Sequence, residues 1–244
     1  RKKSNCKNGF SFGKNHRNKR NLILEMIKIP NIKDKFEFEN NFYLTCNNDR
    51  ISKLLIQYEL FSMTKKIPGE IVECGVFKGT SLIRLATFRE LFNKKRKKII
   101  GFDTFGKFPS ADFSRDTKLR KKFVQQSGNQ SISVSQLEKI LKQKKISKNI
   151  ELVKGDITKT VPKFLERYPK LEISLLNLDV DLYELSKIIL EYFYPKLARG
   201  GIIILDDYGV FPGETKAVNE FFKNKKIKIQ RFGFRKTPAY IVKN

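Results

Sequence analysis

Short apolar runs alternate with amphipathic stretches along most of this chain. The first such stretch covers Asn48 to Lys66, where Ile51, Leu54, Leu55, Tyr58 and Phe61 recur at helical spacing behind a start signal at Asn48 or Asp49. Pro68-Gly69 ends it and opens a strand from Glu70 to Cys74. The pattern then predicts helix 79–93, strand 98–102, helix 134–145, strand 150–153, short helix 158–166 and strand 173–178. Helix 184–197, strand 201–205, helix 214–224 and strands 227–233 and 237–242 complete it. Leu185, Ile188, Ile189, Tyr192 and Phe193 form one helical face, whereas the unbroken run IIIL at 202–205 suits a strand buried on both sides. Strand–helix alternation implies an α/β fold, an open doubly wound and mostly parallel sheet. The final two strands are too close in sequence for a helical crossover, so an antiparallel hairpin is expected at the C-terminus. Residues 104–133 show no sustained periodicity and read as a long lid loop beside the ligand-binding edge.

The strand ends carry the candidate chemistry. Asp179 and Asp181 follow one apolar run (LNLDVDLYE), and Asp206 and Asp207 follow the next (GGIIILDDYG). In a βαβ unit these four acids gather at the carboxyl edge of the sheet, where hard oxygen ligands suit Mg²⁺ or another divalent cation. Upstream, ECGVFKGTS places Gly75 where the backbone turns tightly. Gly79, Thr80 and Ser81 open a helix whose free N–H groups favour a carboxylate or phosphate. The spacing is GxxxG, not the GxGxxG of dinucleotide binders, which disfavours NAD. Asp103 ends the second strand, where an acid can hold ribose hydroxyls, and Gly155-Asp156 ends the third, where an acid or its backbone can meet an adenine amino group. Taken in register, these positions describe an adenosine site with an amino-acid tail, which points to S-adenosylmethionine.

The blocks PGEIVECGVFKGTS (68–81), GFDTFGKFP (101–109), KGDITKTVP (154–162), LDVDLYE (178–184) and YPKLARGGIIILDDYGVFPGETKAVNEFF (194–222) resemble the macrocin O-methyltransferase family of sugar methyltransferases. More distantly, they are similar to catechol O-methyltransferase. The resemblance runs from about residue 48 to the C-terminus and implies a Rossmann-like class I methyltransferase domain over 48–244. It implies that Gly75 and its loop pass under the methionine moiety, that Ser81 meets its carboxylate, and that Glu73 supports the loop or the amino group. Asp103 would hold the ribose and Asp156 the adenine end. Asp179, Asp206 and Asp207 match the metal-holding positions, and Asp179 or Asp181 would accept the proton. Asp181 fits three roles: ligand, base, or cap of the helix at 184. A dimer or larger homo-oligomer is compatible with the family.

Composition narrows this picture less than the motifs do. Across 244 residues, 51 Lys plus Arg against 25 Asp plus Glu give a formal charge of +26. Such an excess attracts phosphate in nucleic acid, nucleotide-linked substrates or anionic membranes. The basic runs are scattered, and no RNA-binding module or base-methylation signature accompanies them, so an RNA methyltransferase is the alternative and not the favoured reading. A catechol-type small-molecule methyltransferase and a non-catalytic scaffold are further alternatives; the complete acidic set argues against the scaffold. Residues 1–47 read as a basic, partly mobile arm, its first 20 residues holding eight basic residues and no acid. His16, the sole histidine, lies there, which disfavours chemistry needing a histidine base. Three cysteines without a CxxC fit a reducing, cytoplasmic compartment, and no apolar stretch approaches a membrane span. The first residue is Arg1, not Met, which leaves room for an upstream piece.

Overall fold

A computed structural model describes residues 27–244 apart from 94–95, 110–112 and 114–115. The first 20 residues and His16 therefore lie outside the described part. Six strands form one sheet: β1 (Glu70–Cys74), β2 (Ile99–Asp103), β3 (Ile150–Lys154), β4 (Ile173–Leu178), β5 (Leu197–Leu205) and β6 (Ala239–Val242). Their spatial order is β3-β2-β1-β4-β5-β6, parallel except for the β5–β6 pair. The chain proceeds outward from β1 in one direction and then returns to continue from β1 in the other. That reversal opens a crevice at the carboxyl ends of β1 and β4, the usual ligand position in such sheets.

Strand side chains alternate between two apolar layers. Val72, Ile100, Leu176 and Ile203 face the layer built by α6 (Ile157–Arg167), α7 (Tyr183–Phe193) and α8 (Pro212–Phe222). Ile71, Ile99, Leu175, Ile202 and Ile204 face the layer built by α2 (Asn48–Met63), α3 (Thr80–Leu91) and α5 (Val134–Gln143). The period-2 pleat makes this division automatic once the strand register is set. Ile173 and Leu175 nevertheless face opposite layers, because the register shifts between them. α1 (Lys35–Thr45) buries none of its residues.

Three expectations change. The 104–133 segment contains a helix, α4 (Asp116–Ser127), whose Leu119, Arg120, Phe123, Val124 and Ser127 are half-buried along one face. Its sequence, DTKLRKKFVQQS, is too polar to advertise that face. The expected strand 227–233 shrinks to one antiparallel bridge, in which Gln230 and Tyr240 exchange backbone hydrogen bonds of 2.8 and 2.9 Å. The antiparallel partner of β6 is chiefly β5. Lys alternating with apolar residues over 225–229 leaves only half a surface to pack, so pairing does not propagate. α7 also stops at Phe193: Tyr194 keeps helical angles, but Pro195 has no N–H with which to continue the ladder.

Candidate active site

A cavity of about 660 Å³ lies at the carboxyl edge over β1 and β4. Its floor is the turn after β1. Gly75 has φ +94°, and a Cβ there would lie 1.6 Å from the Asp179 carbonyl oxygen, so this turn accepts only glycine. The Gly75 N–H donates to Phe102 O (2.9 Å) and the Asp179 N–H to Cys74 O (3.0 Å), tying three strand ends together. At the next strand end, Asp103 Oδ2 accepts from the Phe77 N–H (2.9 Å) and Oδ1 from the Phe105 N–H (2.7 Å). Asp103 thereby holds the β1–α3 loop against its own turn while lining the cavity. Asp156 lines it too, and its Oδ1 caps α6 by accepting from the Thr158 N–H and Oγ1.

Thr80 and Ser81, at the start of α3, form another wall. Three predicted positions stand behind the surface. Glu73 is fully buried on β1, where Asn177 Nδ2 donates to its Oε1 at 3.3 Å and Oε2 has no partner. Gly79, at φ +82°, begins α3, and Gly155, at φ +141°, makes the turn before α6.

The acidic cluster forms the cavity's other end. One carboxylate oxygen each from Asp179, Asp181 and Asp207 lie within 4.8 Å of one another. Asp181 reaches that group from a tight turn, with φ +61° and a Leu182 N–H to Val180 O bond of 2.6 Å, a left-handed conformation uncommon for a non-glycine residue. Its side chain does not cap α7. The fourth acid, Asp206, is held by Lys53 Nζ at 2.6 Å through Oδ2, and its buried Oδ1 has no partner. Glu214, fully buried on α8, accepts from the Asp207 N–H at 3.1 Å.

Burial, reinforced by crowding of like charge, raises the carboxyls here. Burial, then the neighbouring Asp206, pushes the Asp179 carboxyl well above its ordinary value, against the pull of Lys53. Burial and Asp181 do the same to Asp207, and burial and Asp207 to Glu214. Asp181 is pushed up to about 6, chiefly by burial, with a hydrogen bond to Asp207 opposing. The Lys53 ammonium is held charged by Asp206 and Asp179 despite burial that disfavours it. One ammonium cannot neutralise five carboxylates, so the donor set matches a divalent cation in both chemistry and charge.

Sequence reasoning missed the contribution of α2. Arg50, Lys53 and Gln57 project from one helical face at i, i+3, i+7 spacing, and the fully buried Gln57 donates to Ser81 Oγ at 2.9 Å. Gln57 also accepts from Arg84 Nη1 at 3.1 Å. Their shared helical spacing was the one available signal, on a helix whose polar residues otherwise look like ordinary surface.

The roof comes from the 104–133 segment. Phe108, Pro109, Arg120, Phe123 and Ser127 line the cavity, and Phe77, Phe108 and Phe123 pack ring to ring at 5.1–6.1 Å. Asp116, fully buried at the start of α4, accepts from the Gly213 N–H at 2.8 Å, and Phe113 packs on Tyr183. This clasps the roof to the beginnings of α7 and α8. Replacing Asp116 by Ala should leave the sheet intact but release α4. We expect faster amide exchange over 116–127 and S-adenosylhomocysteine binding weakened about tenfold, as loss of a charge-assisted hydrogen bond predicts. Unchanged exchange would show that the roof is held elsewhere.

Known proteins share this fold. The calicheamicin methyltransferase CalS11 superposes with a TM-score of 0.72 at 27% identity, covering 85% of each chain. The O-methyltransferase NovP shares the fold, with a TM-score of 0.69 at 20% identity and 80% coverage of each chain. Demethyldecarbamoylnovobiocin O-methyltransferase of Streptomyces niveus is 27% identical over 158 residues, 64% of this chain and 58% of that protein. Mycinamicin III 3''-O-methyltransferase of Micromonospora griseorubida is 23% identical over 159 residues, 64% of this chain and 61% of that protein. The chain thus spans less than two thirds of the length of these curated relatives. The fold is that of class I methyltransferases, with its Gly75 turn and acidic strand ends in one crevice. Residues 46–237 match the macrocin O-methyltransferase family, and the chain belongs to that family.

Proposed function

We propose that this protein transfers the methyl group of S-adenosylmethionine to a sugar hydroxyl, with a divalent cation such as Mg²⁺ at the acidic cluster. The observation that carries this reading is the joint placement of the Gly75 turn, the Asp103 and Asp156 strand ends and four clustered aspartates around one cavity. The family membership supports the acceptor class, as do relatives named for a rhamnosyl tetracenomycin and for TDP-rhamnose.

In this reading Gly75 and Ser81 bracket the amino-acid tail, with the Ser81 hydroxyl and the opening N–H groups of α3 meeting its carboxylate. Asp103 receives the ribose hydroxyls on lone pairs left by its two backbone bonds, and Asp156 lies at the adenine end. Asp179, Asp181 and Asp207 hold the cation, and Asp206, kept in place by Lys53, completes the charge around it. The cation would lower the pKa of an acceptor hydroxyl and fix its position. Asp179 or Asp181 accepts the hydroxyl proton as the oxygen attacks the methyl carbon in line with the departing sulfur. The roof over α4 excludes water that would compete for the methyl group.

The test is to incubate the protein with methyl-labelled S-adenosylmethionine and a panel of free and nucleotide-linked sugars, with Mg²⁺ or with chelator. Label should pass to a sugar only with Mg²⁺. Undiminished transfer in chelator would remove the cation from the mechanism, and transfer to RNA with none to sugars would overturn the acceptor class.

A further inference from the structure

A second cavity, of about 280 Å³, lies across the acidic cluster from the first. Arg50, Lys53, Asp206 and Asp207 line both and form the partition between them. The second cavity is otherwise walled by Asn47, Asp49, Val210, Arg235, Thr237 and Pro238. If the first cavity holds the methyl donor under its roof, an acceptor can reach the partition carboxylates from this other side. The inference rests on the methyl-transfer reading for that assignment.

The chemistry of the walls is unusual for a site that receives a neutral sugar. Three acids, Asp49, Asp206 and Asp207, face three bases, Arg50, Lys53 and Arg235, so cationic side chains match acidic ones in number and a divalent cation at the partition would leave the lining positive. Lys53 is committed to Asp206. The Arg50 guanidinium has no hydrogen-bond or ion-pair partner among the described residues, and its charge, after burial, helps lower the pKa of Arg84. Arg235 is braced: Nη1 donates to Asp49 Oδ1 (2.7 Å) and Ser52 Oγ (2.9 Å), and Nε donates to Thr237 O. Its Nη2 has no partner among the described residues. A neutral hydroxyl needs neither guanidinium, whereas a phosphate or carboxylate accepts from both in the fork geometry that arginine offers. The volume is slightly below the range of about 300–1,000 Å³ for drug-sized ligands, which suits one sugar ring with its anionic substituent.

We propose that this cavity is an anion-recognising acceptor subsite, in which Arg50 and Arg235 hold a phosphate or carboxylate carried by the sugar and so present its hydroxyl at Asp207, which lines both cavities and whose carboxylate lies within 4.8 Å of those of Asp179 and Asp181. Neutral sugars are then poor acceptors.

The experiment titrates UDP-glucose, glucose 1-phosphate, glucuronate and glucose into the protein calorimetrically at saturating Mg²⁺, with and without S-adenosylhomocysteine. The anionic probes should bind saturably and glucose at least about tenfold more weakly. Arg50→Gln and Arg235→Gln should each weaken anionic binding about tenfold, the expected effect of one charge-assisted contact. Lys226→Gln, in a basic run outside both cavities, should change nothing. Tightest binding of UDP-glucose marks a nucleotide-linked acceptor, and equal binding of glucuronate marks a simple acidic sugar. Equal affinity for glucose and the anionic probes, or equal weakening by Lys226→Gln, would overturn the proposal. Failure of S-adenosylhomocysteine to bind would instead overturn the methyl-transfer reading, and the titrations made without it still decide the anion subsite.

Discussion

Asp179→Asn should reduce methyl transfer by roughly 10²–10⁴-fold, the range for loss of a positioned acid–base group, and should weaken Mg²⁺ binding in parallel. The same change should leave the metal-free protein as stable as before or more so. The reason is electrostatic. Burial and Asp206 both work against a charge on Asp179, and the ion pair with Lys53, at 3.8 Å, does not offset them. An amide of the same shape removes that repulsion while keeping the Asp179 backbone bond to Cys74. Turnover with labelled donor, paired with thermal melting in chelator and in Mg²⁺, checks both halves. A marked drop in metal-free melting temperature would show that the carboxylate stabilises the fold, and retained turnover would remove Asp179 from the chemistry.

Gly75→Ala should be the most damaging single methyl group that can be added to the sheet edge. The new Cβ would collide with the Asp179 carbonyl at 1.6 Å and its carbonyl carbon at 2.6 Å, and both are backbone atoms that cannot rotate away. The left-handed φ of +94° adds strain of its own. The expected cost is on the order of 3 kcal/mol or more, because relief requires β1 and β4 to separate at the crevice. Gly128→Ala is the control: its φ is +82°, yet nothing lies within 4 Å of the added atom. It should lose only about 1–2 kcal/mol, from backbone strain alone. Melting temperatures of the two variants, with calorimetry of S-adenosylhomocysteine, separate collision from strain. Similar losses in both would mean that the crevice yields easily.

The core of the fold was legible because its signals are local. The runs EIVEC, IIGFD and ISLLNL read as strands, and each appears in the sheet. α4 was not legible. Its half-buried face exists only because Phe77 and Phe108 are there to receive Phe123, and because Gly213 offers an N–H to Asp116, 97 positions away. The last segment fails as a strand for a related reason. β6 pairs with β5 along one edge, and on its other edge the lysine-rich stretch meets it only at the Gln230–Tyr240 bridge.

The site divides the same way. That acids would gather at the carboxyl edge follows from strand direction and the length of the intervening helix, both readable along the chain. Which of them would cluster depends on a left-handed turn at Asp181 that brings it to Asp207, and on Lys53 arriving from α2 to engage Asp206. Gln57, Arg50 and Arg235 likewise enter the site from elements whose polar residues look like ordinary surface in sequence. The sequence by itself determined the order of the parallel strands and their crossover helices, the tight turn at Gly75 and the family, because periodicity, sterics and short motifs act between near neighbours. Only the tertiary structure decided how the carboxylates divide between a close trio and a lysine, what roofs the cavity, and that a second, arginine-lined cavity opens beyond it. Lys53 and Asp206, 153 positions apart along the chain, interact through distance in space, and spacing in sequence carries no record of that distance.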